Sequence, residues 1–292
     1  MDEVMSWLPV LLIGFLIGVF SLRKSTSSES TASCSAPSSS EPTCLTKLSE
    51  DVTRLSERAE DPDTEMELAK VLVKRGNAFA DAERLEAANQ DYDRALEIYR
   101  SFAHSDPKRD VADSIAGVLN NRALLLCSAN RLGESLRDFD ESVTIYRSLL
   151  HGNADREGSQ HLGMVLHNRG LTYVRQRRFP EAIRDFDEAA GMRQGLLEAL
   201  PTPQVQYDLA MTQNCRAAAK MELGRFEECL PDYDNAIRLL ESLRDSVLEN
   251  HVLSSLAGCL SNRGNALRAI GHQERAERDL TRSQEISRKR PQ

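Results

Sequence analysis

The sequence predicts an all-α protein: a right-handed α-solenoid of five helix-turn-helix repeats, preceded by a single transmembrane helix and a flexible linker. Three observations predict it. First, charged residues make up 28% of the 292 residues and aromatics only 5%, with 15 glycines and 10 prolines. Strands draw on β-branched and aromatic side chains, so this mixture favours helices. Second, an arginine recurs at Arg75, Arg122, Arg169, Arg216 and Arg263, and an aspartate at Asp91, Asp138, Asp185, Asp232 and Asp279, both with a period of 47. Two unrelated markers that keep one period over five copies are the signature of a repeat array. Third, Val4 to Leu22 is nearly all apolar.

That apolar run is long enough to cross a bilayer as a helix, which takes about 20 residues. Trp7 suits an interface, and Pro9 falls in the first turn, where its missing N–H costs least. A cleaved signal peptide is the competing reading. It would call for a basic start and small residues at its end, whereas Asp2 and Glu3 precede the run and Arg23 and Lys24 follow it. Residues 1–24 are therefore expected to be an anchor. The two basic residues on its C-terminal side put the repeats in the cytoplasm of a single-pass membrane protein. Gly14 and Gly18 form a GxxxG pair that can bring two such helices together, so a homodimer is a second reading. Residues 25–44 are rich in serine and threonine, carry Cys34 and Cys44, and are expected to be a linker.

Leu45, Leu48, Val52 and Leu55 have helical spacing and suggest a capping helix over 45–62. The repeats follow over 63–290, divided at about 63–106, 107–153, 154–200, 201–247 and 248–290. In the third copy Leu162, Val165, Leu166 and Tyr173 form one stripe and Ala182, Ile183, Phe186, Ala189 and Ala190 the next. Gln176–Pro180 makes the turn between them. Small residues recur where the two helices of a copy cross: Gly76 with Ala88, Gly170 with Ala182, and Gly264 with Ala276. Ser135 and Cys229 fill the second position in the other two copies. A small side chain there permits a short interaxial distance. The last helix, Glu274 to Lys289, is highly polar, as the end of a solenoid must be.

This pattern resembles the tetratricopeptide repeat. The first-helix small residue of that family matches Gly76, Ala123, Gly170, Ala217 and Gly264. Its second-helix alanine matches Ala88, Ser135, Ala182, Cys229 and Ala276, and its aromatic matches Tyr92, Phe139, Phe186 and Tyr233, with Leu280 departing. The resemblance covers about 68–289. The family's usual first-helix tryptophan is missing, and the 13 residues beyond its usual period of 34 fall where both helices can lengthen. The resemblance implies a concave groove lined by first helices, with Asn120, Leu124, His167, Leu171, Arg175, Asn214, Met221, Asn265 and Arg268 facing a protein or peptide partner. It also implies that a lysine-based carboxylate clamp is missing, because Val73, Asn120, His167, Asn214 and Ser261 occupy the slot where lysine is expected.

The arginine and aspartate series read as a structural ladder, each arginine pairing with an aspartate of its own or a neighbouring repeat. Nucleic acid is not an expected partner, since the net charge is −8. The six histidines and six cysteines show no metal-ligand spacing, and Cys127, Cys215, Cys229 and Cys259 read as packing residues. No phosphate loop, nucleophile elbow or dinucleotide fingerprint is present. No enzyme activity, cofactor or metal is expected. The expected function is a membrane-anchored protein–protein interaction scaffold; the alternative is a repeat protein that self-associates through its anchor and repeats.

Overall fold

The computed structural model describes residues 41–58, 61–105, 109–152, 156–244 and 249–288. These residues are all-α, with eleven helices and no strand among them. Helix α1 (Glu41–Ser56) precedes five pairs. The pairs are α2 (Pro62–Asp81) with α3 (Leu85–Ser105), α4 (Arg109–Ser128) with α5 (Leu132–Gly152), and α6 (Arg156–Arg175) with α7 (Phe179–Ala199). The last two are α8 (Pro203–Glu222) with α9 (Phe226–Ser242), and α10 (Glu249–Ala269) with α11 (Gln273–Arg288). The first member of each pair is called its A helix and the second its B helix. Each B helix also packs against the A helix of the following pair, so the array is a solenoid of A and B layers.

Every A helix stops in the same way. The residue at the turn takes a left-handed conformation in all five copies: Glu83 (φ 57°), Asn130 (59°), Arg177 (58°), Gly224 (72°) and Gly271 (84°). The next N–H reaches back to the helix, Arg84 to the Phe79 carbonyl at 2.8 Å, Arg178 to Tyr173 at 2.9 Å and His272 to Leu267 at 2.9 Å. This is the Schellman closure, which satisfies carbonyls that the helix end leaves unpaired. Two copies use glycine there and three do not, so the turn geometry is imposed by the packing of the pair as well as by residue type.

Within a pair, the crossing is closest at the small first-helix residue. A Cβ on Gly76 would lie 2.8 Å from the Tyr92 ring, one on Gly170 2.7 Å from Phe186, and one on Gly264 2.9 Å from Leu280. The glycine therefore makes room for the aromatic side chain four residues beyond the alanine that the sequence paired with it. Tyr92, Phe139, Phe186 and Tyr233 are fully buried in this position. Leu45, Leu48, Val52 and Leu55 of α1 pack on the first pair, alongside Leu68, Leu72 and Tyr92. Helix α1 begins at Glu41, four residues earlier than the sequence suggests, with Pro42 in its first turn, where proline lacks nothing the helix needs.

One expectation is corrected. Among the described residues no helix is long and apolar enough to cross a membrane, so the single-pass membrane protein with a cytoplasmic repeat domain is not upheld. The physical reason is the amphipathic design of the repeats, whose helices carry ionic groups on the faces they do not pack. Residues 1–24, assigned as the anchor with its Gly14–Gly18 pair, lie outside the described residues, as do residues 25–40 of the linker.

Candidate functional site

The ionic ladder locks each pair internally and then to its predecessor. In all five copies the arginine Nε and Nη2 grip both oxygens of the aspartate 16 residues later. For Arg75 and Asp91 both distances are 2.7 Å; for Arg169 and Asp185 they are 2.8 and 2.7 Å; for Arg263 and Asp279 they are 2.7 and 2.8 Å. Arg122 with Asp138 and Arg216 with Asp232 are gripped in the same way. From the second copy onward Nη1 also reaches an aspartate of the preceding pair. Arg122 bonds Asp93, Arg169 bonds Asp140 at 2.9 Å, Arg216 bonds Asp187 at 2.8 Å and Arg263 bonds Asp234 at 2.7 Å. The inner aspartates Asp91, Asp138, Asp185, Asp232 and Asp279 are buried. Two-point, charge-assisted bonds are the strongest that arginine makes. The Asp138 fork holds the Arg122 guanidinium charge more firmly than in water.

Neighbouring A helices are joined by polar contacts with their own register. Asn168 Nδ2 donates to Asn120 Oδ1 at 3.0 Å, Asn262 Nδ2 to Asn214 Oδ1 at 3.4 Å, and His161 Nδ1 meets Asp113 Oδ1 at 3.1 Å. Tyr207 Oη meets Ser255 Oγ at 2.9 Å, and Arg175 Nη1 bonds the Cys127 carbonyl and lies 2.9 Å from its thiol. All five contacts span 48 residues, one more than the period. Other contacts between neighbouring A helices span 44 or 45 residues, Asn121 to Asn77, Thr172 to Cys127 and Thr212 to His167, so one face of each A helix is taken up by its neighbour over several turns.

These seams decide where the expected ligand-facing residues go. Asn120, His167, Leu171 and Asn214 are buried. Their polar groups serve the seams between A helices, and His167 Nδ1 meets Thr212 Oγ1 at 3.1 Å while its ring lies 5.6 Å from that of Phe186. Leu124 and Met221 are half-buried and pack on the Phe139 and Tyr233 clusters. Arg175 is half-buried and caps the end of α4. Asn265 is half-exposed and Arg268 exposed on α10.

The A layer presents other residues that the sequence reading did not single out. Lys70 and Lys74 on α2 are exposed; Asn121 on α4, Met164 and Asn168 on α6 and Met211 on α8 are partly exposed. For Lys70, Met164 and Met211 the signal that could have found them was their shared A-helix position, which carries no repeat consensus.

A buried polar cluster lies between α7 and α8. Arg193 Nη1 donates to the Asp208 carbonyl at 2.8 Å and to the Thr212 hydroxyl. Thr212 passes its own proton to the Asp208 carbonyl at 2.9 Å, so His167 donates to it through Nδ1. Burial first, and the Arg193 charge second, hold His167 well below the usual histidine range. Burial likewise raises the Asp208 carboxyl, whose Oδ1 accepts from Gln204 at 2.9 Å.

Among the described residues no group of three His, Cys, Asp or Glu side chains is placed to hold a metal. Cys215, Cys229 and Cys259 are buried thiols and Cys44 is exposed.

The tetratricopeptide repeat family profile matches residues 115–151 and 162–199, which span α4 with α5 and α6 with α7. No curated protein sequence matches. Among solved structures, the chain is similar to BtubC (BKLC) from P. vanneervenii at 15% identity and a TM-score of 0.68, over 87% of this chain and 95% of that one. It is similar to a Podosopora anserina putative kinesin light chain with nearly identical TPR-like repeats, at 14% and 0.53, over 79% and 98%. It is also similar to the apo form of RapI, at 11% and 0.64, over 86% of this chain and 60% of that one. At these identities the likeness is one of fold, a tetratricopeptide-like solenoid.

Proposed function

We propose that the chain is a protein–protein interaction scaffold, without catalysis of its own, that holds a partner protein or extended peptide along its A-helix layer. The observation that carries this reading is a contrast between two sets of positions. The interlocking set repeats: an arginine, its aspartate and a small residue recur in every copy. The A-layer set does not: one position runs Lys70, Gly117, Met164, Met211, Gly258. Positions that serve only packing would follow the period of the core, whereas a surface that selects a ligand must differ along its length. Amide side chains can pair with the unpaired backbone of an extended peptide, and methionines adapt to irregular apolar side chains. A fixed frame of stacked repeats carrying a varied face is the economy of a solenoid that binds over several copies.

The test is capture from cell extract by the full chain beside a Met164→Glu, Met211→Glu variant. The variant is expected to lose a partner about tenfold, the effect of one to two desolvated anchors, with an unchanged melting temperature. Equal capture of the same partner by both would place binding elsewhere.

A further inference from the structure

The seam between the third and fourth pairs departs from the others in two places. Along the B layer, Arg100 pairs with Glu141, Arg147 with Glu188, and Arg282 with Glu241 in reversed order. At the third seam Gln194 and Asn235 stand in those positions. Inside the same seam, one B-helix position is Tyr99, Tyr146 and Leu240 in copies one, two and four, all buried. In the third copy it is Arg193. Packing in the repeat thus calls for an apolar body at this point, and the arginine needs its own explanation.

Arg193 keeps 8% of its surface exposed. Its Nη1 is used twice, on the Asp208 carbonyl and the Thr212 hydroxyl. Nε and Nη2 have no acceptor among the described residues, and no carboxylate there lies within the 4.0 Å of an ion pair. Among the described residues the fully buried polar side-chain atoms without a partner are Gln213 Oε1 and Tyr233 Oη, so the two Arg193 nitrogens lie at the edge of the 8% that stays exposed. The Asp208 carboxyl accepts from Gln204 and, without reaching Arg193 directly, lies near enough for the two opposite charges to favour each other. A guanidinium keeps its charge and offers its donors in a rigid plane, and a charge withdrawn from water needs acceptors. The vacant edge, Nε with Nη2, is the edge with which Arg75, Arg122, Arg169, Arg216 and Arg263 grip their carboxylates.

We propose that the Nε–Nη2 edge of Arg193 receives a carboxylate of the bound partner, at the end of the third seam formed by the last turns of α7 and the first turns of α8. This rests on the reading of the chain as a protein- or peptide-binding scaffold. The carboxylate is an Asp or Glu side chain or a peptide C-terminus; both have the planar two-oxygen geometry that the edge fits. A neutral peptide would leave the charge as it is now, so the partner is selected for acid at one point.

Two measurements on the full chain test it. The first is a thermal titration with N-acetylglutamate N-methylamide at constant ionic strength, beside its glutamine analogue. The carboxylate is expected to raise the wild-type melting temperature by about 2 °C, by mass action on the folded state, and the amide to leave it unchanged. Arg193→Leu, which installs the residue of the fourth copy, is expected to lose the response, and Arg193→Lys, which keeps the charge without the fork, to weaken it. Equal shifts in wild type and Arg193→Leu, or no shift in either, overturn the proposal. The second is selection of peptides from a random library. Recovered peptides are expected to share an acid whose amidation weakens binding about tenfold, the order of a charge-assisted bond, in wild type but not in Arg193→Leu. Amidating side chain and C-terminus separately distinguishes the two carboxylate sources. Peptides that bind without any required acid overturn this proposal and leave the scaffold reading intact. A thermal shift confined to wild type, with no peptide recovered, supports the anion site and counts against the scaffold reading.

Discussion

Tyr233 carries a hydroxyl that the fold does not use. It is fully buried with no hydrogen-bond partner, while the equivalent Tyr92 donates to Asn77 Oδ1 at 2.6 Å. The difference lies opposite, where Ala218 stands at the position of Asn77. Tyr233→Phe, which installs the residue of the second and third copies, is expected to stabilise the protein by about 1 kcal/mol, since an unmet buried hydroxyl costs about 1–3 kcal/mol. Tyr92→Phe is expected to destabilise it by a similar amount; urea unfolding of both variants checks the pair of signs. His167 gives a pH test. Its folded-state pKa is depressed, so below the ordinary value of 6.5 the unfolded chain binds the extra proton and stability falls. His167→Asn, the residue at this position in copies two and four, is expected to reduce that loss by up to about 1.4 kcal/mol per pH unit as pH drops below 6.5. His161, which Asp113 shifts the other way, is common to both proteins and cancels from the difference. At this scale the sequence was least legible. It placed Asn120, His167 and Asn214 on a ligand-facing surface because a period of 47 says nothing of which face of an A helix packs on the next A helix. It passed over Arg193 because a single departure from an apolar pattern becomes meaningful only once its neighbours are known.

The helix pairs were far more legible, since small residues, aromatics and arginines marked both members of each pair and the turn between them. What periodicity could not give was the identity of close contacts. Gly170 was matched with Ala182, yet it is the Phe186 ring that a Cβ would strike at 2.7 Å. Gly170→Ala is therefore expected to cost about 1–3 kcal/mol through overpacking. Gly191→Ala, on the open face of α7 where an added Cβ meets nothing within 4 Å, is expected to gain about 0.5–1 kcal/mol by relieving the glycine penalty inside a helix. The turns supply a related comparison. Arg177 adopts φ 58° where copies four and five have glycine, so Arg177→Gly is expected to stabilise by about 1 kcal/mol, the cost of a left-handed conformation in an L-residue. Thermal denaturation of the three variants decides between these signs.

Across the whole array, the fork and its third bond turn neighbouring pairs into one structure. Each arginine from the second copy onward holds an aspartate of its own pair and one of the pair before it, which a spacing of 47 could suggest but not resolve. In the fifth copy Thr281 stands in place of the outward aspartate. Arg169→Met is expected to cost about 3 kcal/mol by leaving buried Asp185 unpaired, and Arg169→Met with Asp185→Leu to recover part of that loss. The anchor assignment shows the opposite limit of sequence reading: an apolar run carries no internal register to check it, whereas five copies check one another.

The most direct test of the central claim is hydrogen exchange of the full chain with and without a captured partner or selected peptide. Binding to the A-helix layer predicts added protection in α6, α8 and α10, at segments containing Met164, Met211 and Asn265, and at the last turns of α7 around Arg193, with α5 and α9 little changed. Protection concentrated on the B helices, with the A helices unaltered, would contradict it.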